Sequence, residues 1–204
     1  LPTRSIRVME VLGTLGRTLA CGEMDQIEVS HGEIIDEKAY FNVIRQKTAS
    51  LFIACMHIGA LTSGMSPEQT SAVKGAEDVA RLGMFGEKLG LCFQIKDDIF
   101  DYFAAGEIGK PTRSDLSEGK VTLPLIYALT HTEGSRCAEM KSLVAKPELS
   151  EDEISRLVAF AVENGGIEYA EKVMEQLRNE ARRYLEPFFP SPAAESPARA
   201  HSGK

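Results

Sequence analysis

The chain has 204 residues, 43% hydrophobic and 26% charged, with a formal net charge of −7. That length and balance suit one globular domain with a substantial core. The acidic excess argues against a nucleic-acid partner, which needs clustered lysines and arginines. It leaves room for a phosphorylated small molecule met by a few local lysines or a bridging metal.

The pattern is helical nearly throughout, with no alternating β-branched runs and no Asn-Gly turns. A first helix is predicted from Ser5 to Val29 and is broken at Ser30-His31-Gly32. A second runs from Asp36, a suitable N-cap, to Leu61, and Thr62-Ser63-Gly64 ends it. Its apolar run from Leu51 to Ala60 is interrupted by His57 and is too short to span a bilayer. Ser66-Pro67-Glu68-Gln69 has the form of a capping box with proline at the first helical position, and it opens a third helix reaching Phe103. Gly75, Gly83, Gly86 and Gly90 lie inside that helix. Each costs roughly 1 kcal/mol of helix propensity relative to alanine, so tight packing or ligand space is expected there. A polar loop, Ala105 to Lys120, leads to helices at Leu123–Thr130, Ser150–Glu163 and Ile167–Glu186. Residues 1–187 form one domain in this reading. Residues 188–204, rich in proline, alanine and serine, form a disordered tail.

Cys21, Cys55, Cys92 and Cys137 are widely spaced and contain no C-x-x-C pair. They read as reduced thiols of a cytoplasmic protein. The chain opens on Leu1-Pro2-Thr3-Arg4 without methionine and reads as a fragment or a processed chain.

The segment Phe93-Gln94-Ile95-Lys96-Asp97-Asp98-Ile99-Phe100-Asp101 carries the functional signal. At helical spacing Gln94, Asp97, Asp98 and Asp101 share a stripe about 100° wide on an otherwise apolar helix. Like charges one turn apart repel, and anions near a helix C-terminus oppose its dipole. A solvated acidic face is the bland explanation. The apolar neighbours and the lysine-bearing loop downstream favour a hard divalent cation, because Mg2+ shares its shell between carboxylates and substrate phosphates. Lys47 has Ile44 and Leu51 as helical neighbours, so it is either a snorkelling side chain or a buried ammonium facing an anion. Gly109-Lys110 and Gly119-Lys120 place lysines after glycines that let the backbone approach a phosphate.

Taken together these segments resemble the trans-prenyl diphosphate synthases. The stretch Asp97-Asp98-Ile99-Phe100-Asp101 looks like that family's second Asp-rich motif, and Lys47-Thr48 is similar to its Lys-Thr pair. Gly22-Glu23-Met24-Asp25-Gln26, Gly109-Lys110 and Gly119-Lys120 resemble further segments in the family's order, from Gly22 to Leu129. The resemblance implies an all-α helical bundle of the isoprenoid synthase type around a central cavity, usually a homodimer, here without its N-terminal helices. It implies Mg2+ held by Asp97, Asp98 and Asp101. Lys47, Lys110 and Lys120 would contact an allylic diphosphate. Thr48 and Gln94 would line the reacting region, and Lys47, Thr48, Gln94 and Lys110 make up the implied catalytic set. The implied reaction condenses the allylic diphosphate with isopentenyl diphosphate to give a longer prenyl diphosphate. His31, His57, His131 and His201 have no part in it.

The family's first Asp-rich motif, and its residues for isopentenyl diphosphate, have no counterpart in these 204 residues. The expectation is therefore an inactive fragment with exposed apolar surface. Arg113 stands where the family usually has glycine, and the usual final helix is not found after Phe189. Two alternatives are a non-catalytic partner subunit and a class I terpene cyclase. A cyclase usually carries an Asn-Ser-Glu type of second motif, against which Asp97-Asp98-x-x-Asp101 and the lysine loop argue.

Overall fold

The structure, a computed structural model, describes residues 5–30, 36–63, 75–103 and 114–189. Every regular element among the described residues is helical. In order these are α1 (Ile6–Val29), α2 (Glu37–Ile44), a π turn (Arg45–Ala49), α3 (Ser50–Thr62), α4 (Ala76–Phe100), α5 (Ser114–Ser117), α6 (Leu123–His131), α7 (Ser135–Val144), α8 (Glu151–Glu163) and α9 (Gly166–Leu185), then a 3-10 turn (Glu186–Phe188). The all-α expectation holds. None of these helices is long and apolar enough to cross a membrane.

α4 is the axis of the molecule, packed along α3 on one side and α9 on the other. Its glycines explain how. A Cβ on Gly90 would lie 2.5 Å from the Ala49 Cα, and one on Gly86 would lie 2.8 Å from the Phe52 carbonyl oxygen. A Cβ on Gly83 would meet the His57 ring. The propensity lost at these three glycines is thus offset by close helix contact, and packing rather than ligand space accounts for them. Gly75 instead precedes the first residue of α4. The Ser66 capping box lies outside the described residues.

Two apolar clusters share α6. Leu125, Ala128 and Leu129 pack with Cys137, Met140, Leu143, Leu157 and Phe160 of α7 and α8. Leu123 and Ile126 pack with Tyr40, Ile44, Leu91, Ile95, Ile99, Ala170 and Leu177 of α2, α4 and α9. α6 is therefore apolar on nearly every face, as a helix enclosed by others must be. Gly166 makes the last tight crossing, since a Cβ there would fall 2.2 Å from the Pro124 carbonyl oxygen.

Several predicted boundaries are met. Asp36 caps α2 by accepting from the Ala39 N–H, and Ser150 with Glu153 forms a full capping box on α8. Two differences matter. The second predicted helix is not one α-helix: it widens between Arg45 and Ala49, where the Ser50 N–H reaches back to the Arg45 carbonyl. And α7 is a helix where the sequence reading placed none. Its N-cap is Gly134, with no side-chain cap, so the usual start signal is missing. Residues 190–204, most of the predicted tail, lie outside the described residues.

Candidate active site

The π turn sets out the site. It is clamped between two glycines: a Cβ on Gly22 of α1 would lie 2.7 Å from the Gln46 Cβ, while Gly90 of α4 abuts Ala49. Such bulges in α-helices recur at functional positions. From this turn, neighbouring residues reach opposite ways. Lys47 Nζ donates to Gln26 Oε1 of α1 at 2.5 Å and pairs with Glu23 at 2.7 Å. Thr48 Oγ1 donates to Gln94 Oε1 of α4 at 2.5 Å. Between them lies a cavity of about 160 Å³ whose walls include Gln26, Asp36, Tyr40, Lys47, Thr48, Gln94, Asp98, Asp115 and Lys120. It is smaller than a typical drug-sized pocket and suits a compact polar group.

A directed chain of hydrogen bonds links residues of the cavity wall. Buried Tyr40 donates to Asp98 Oδ2 at 2.6 Å. Gln94 Nε2 donates to Asp98 Oδ1 at 2.8 Å. That fixes the Gln94 amide with its oxygen towards Thr48, which must then donate. Burial, and next the Asp98 charge, hold the Tyr40 phenol well above its ordinary pKa, so it stays a donor. Burial pushes the Asp98 carboxyl up to about 7, against the opposing pull of its bonds from Tyr40 and Gln94. No buried side-chain N or O among the described residues lacks a partner.

The aspartate stripe divides in three dimensions. Asp98 is 3% exposed and points into the cavity. Asp97 is exposed and lines a separate groove with Phe52, Phe93, Lys96 and Phe100 of α3 and α4 and with Glu171, Glu175, Arg178 and Arg182 of α9. Asp101 is buried, and its Oδ2 accepts the Asp115 backbone N–H at 3.1 Å. α5 then closes in a Schellman turn: Lys120 N–H reaches the Asp115 carbonyl, Gly119 N–H reaches Leu116, and Gly119 has φ +74°. This turn brings Lys120 to the cavity wall, where it pairs with Asp115 at 3.1 Å and Glu118 at 2.7 Å. Burial works against the Lys120 charge, but the bonds and charges of Glu118 and Asp115 outweigh it and raise its pKa.

Lys47, Thr48, Gln94, Asp98 and Lys120 are thus brought together, with Asp101 tied to the same wall through Asp115. Lys110 and Arg113 lie outside the described residues. Among the described residues no three His, Cys, Asp or Glu side chains converge into a metal cage. A donor set of carboxylate oxygens still fits Mg2+, which needs only one or two of them when substrate phosphates complete its shell. Asp97, Asp98 and Asp101 are the carboxylates at this end of α4 that could supply them. Asp98 already accepts at both oxygens.

The sequence reading missed Tyr40 and Asp115. Tyr40 stands seven residues before Lys47, two turns away on the same helix face, and that spacing was the available signal. Asp115 was one acid among several in a loop, and only the turn at Gly119 orients it.

A sequence profile of the polyprenyl synthetase family matches residues 2–161. The octaprenyl diphosphate synthase of Escherichia coli (strain K12) is 39% identical over 128 residues, 62% of this chain and 37% of that protein. The crystal structure of a polyprenyl synthase from Caulobacter crescentus CB15, complexed with calcium and isoprenyl diphosphate, superposes with a TM-score of 0.80 at 30% identity, covering 93% of this chain and 56% of that one. That of a geranylgeranyl pyrophosphate synthase from Bacteroides thetaiotaomicron gives 0.76 at 42% identity, covering 89% and 57%. The chain spans roughly half the length of these relatives. With the profile covering most of its residues and the isoprenoid-synthase fold in place, the chain belongs to the polyprenyl synthetase family.

Proposed function

We infer that this chain supplies the second Asp-rich half of a trans-prenyl diphosphate synthase. Its reaction joins an allylic diphosphate to isopentenyl diphosphate, with Mg2+ as cofactor. The observation that carries the reading is the cavity itself, whose walls Lys47 and Lys120 share with the Tyr40–Asp98–Gln94–Thr48 chain.

In this reading Asp97 and Asp101 would hold Mg2+ together with the diphosphate, and the ion would supply positive charge against the leaving pyrophosphate. Lys47 and Lys120 do the same from the wall. The allylic C–O bond breaks, and the carbon cation that remains faces the oxygens of Thr48 and Gln94. Their hydrogens are turned away along the chain to Asp98, so lone pairs face the developing positive charge. The double bond of isopentenyl diphosphate attacks that carbon. The departed pyrophosphate takes the proton, completing one five-carbon extension. The hydrocarbon tail lies outside the small cavity, along Leu51 and Phe93, which are 52% and 57% exposed. A homodimer and dependence on the upstream half of the family fold complete the proposal.

The test is incorporation of labelled isopentenyl diphosphate into an apolar-extractable product. The chain is mixed with the upstream half of the E. coli octaprenyl diphosphate synthase. The expected product requires Mg2+ and disappears with Lys47→Ala. Product that survives that substitution or chelation, or no product from halves that co-elute, contradicts the reading.

A further inference from the structure

Each lysine of the cavity has two partners of different kinds. Lys47 has Gln26, a cavity-wall residue, and Glu23, whose side chain is 61% exposed. Lys120 has Asp115, fixed by the Schellman turn and 21% exposed, and Glu118, 59% exposed. The lysines themselves are about half as exposed as these glutamates, at 29% and 32%. The wall-side partner orients the ammonium. The outer glutamate, more than half exposed, is the partner whose place an incoming anion's oxygen can take. Glu118 is held below the ordinary carboxylate range by Lys120 first, and at longer range by Lys47, so the two lysines act on one anionic region.

We propose that Glu23 and Glu118 are exchangeable counter-ions. They occupy Lys47 and Lys120 in the empty site, are displaced when a diphosphate binds, and recapture the lysines as pyrophosphate leaves. The proposal rests on reading the cavity as a diphosphate site. Its physical logic is that a bare ammonium pair on a half-buried wall is costly, so release of a tightly held anion is slow unless another takes its place. Such displacement lowers affinity for the incoming anion without altering the wall-side geometry. Exposed ion pairs are weak, so each exchange is a modest, reversible step rather than a lock.

The probe is inorganic pyrophosphate, titrated calorimetrically at fixed Mg2+ and low ionic strength. The proteins are the wild-type chain, Glu23→Gln, Glu118→Gln, the double variant and Lys47→Gln. Both glutamates are exposed, so their variants keep the fold, which circular dichroism checks. Each single variant is expected to bind pyrophosphate about three- to fivefold more tightly, and the double variant about tenfold, with the gain shrinking as salt rises. A purely structural role for these carboxylates predicts unchanged or weaker binding. That result, with Lys47→Gln abolishing binding, overturns the exchange and leaves the diphosphate reading intact. Absence of pyrophosphate binding by every protein, the double variant included, overturns both.

Discussion

Asp98 is the residue on which pH acts most directly. In the unfolded chain it titrates near 3.8, and in the fold burial brings it to about 7. Between those values the folded state holds a proton that the unfolded state has lost, so stability falls as pH rises through the window. The contribution is fully present below about pH 4 and gone above about pH 7. Without Mg2+, wild type should lose about 3–4 kcal/mol more than Asp98→Asn between pH 4 and 8. Paired denaturant melts measure this, and parallel pH profiles would refute it. Tyr40→Phe removes the donor to that carboxylate. It should cost about 1.5–3 kcal/mol at pH 8, where Asp98 is charged, and less at pH 5. The sequence showed the aspartates as one stripe because helical spacing groups them. It could not show that α2 packs over one edge of the stripe, turning Asp98 inward and leaving Asp97 outside. A lone tyrosine on an apolar face reads as core until its hydroxyl is seen against a carboxylate.

At the scale of elements, the glycines of α4 are not equivalent. A methyl at Gly90 presses on the backbone of Ala49, the last residue of the π turn, which cannot yield. A methyl at Gly83 presses on the side chain of His57, which can rotate. Gly90→Ala is expected to destabilise by more than about 2 kcal/mol and to shift Lys47 and Thr48. Gly83→Ala should stay within about 1 kcal/mol of wild type, since alanine also gains helix propensity. Thermal melts of the two variants decide this, and equal costs would contradict it. The cap at Asp36 announced α2, and the helix expected from Ser150 is α8, where Ser150 turns out to be the cap. α7 was not legible, because it opens on Gly134 without a capping side chain. Its buried Cys137, Met140, Leu143 and Val144 do fall at helical spacing and were the signal to use. The π turn has no composition of its own. It follows from the approach of Gly22 and Gly90 on either side, and both contacts are tertiary.

For the whole molecule, order of segments carried more than composition. The family fold was legible because the Lys-Thr pair, the second Asp-rich segment and the Gly-Lys turn follow one another at the right intervals. Their meeting round one cavity needed the packing of α2, α4 and α6. α1 leaves Ile6, Met9, Met24 and Ile27 more than half exposed. An apolar face of that kind marks an interaction surface, and sedimentation of the isolated chain should show self-association that polar substitutions at these four positions suppress. A monomer at all concentrations would contradict this.

The central claim is that the cavity and the acidic end of α4 form a Mg2+-diphosphate site. Its most direct test is calorimetric titration with a non-hydrolysable allylic diphosphate analogue, with and without Mg2+, for wild type and for Asp97→Ala/Asp101→Ala. The account predicts binding by wild type that requires Mg2+ and is lost in the double variant. Binding that is indifferent to Mg2+ or to both aspartates, or none by the folded wild-type chain, would contradict it.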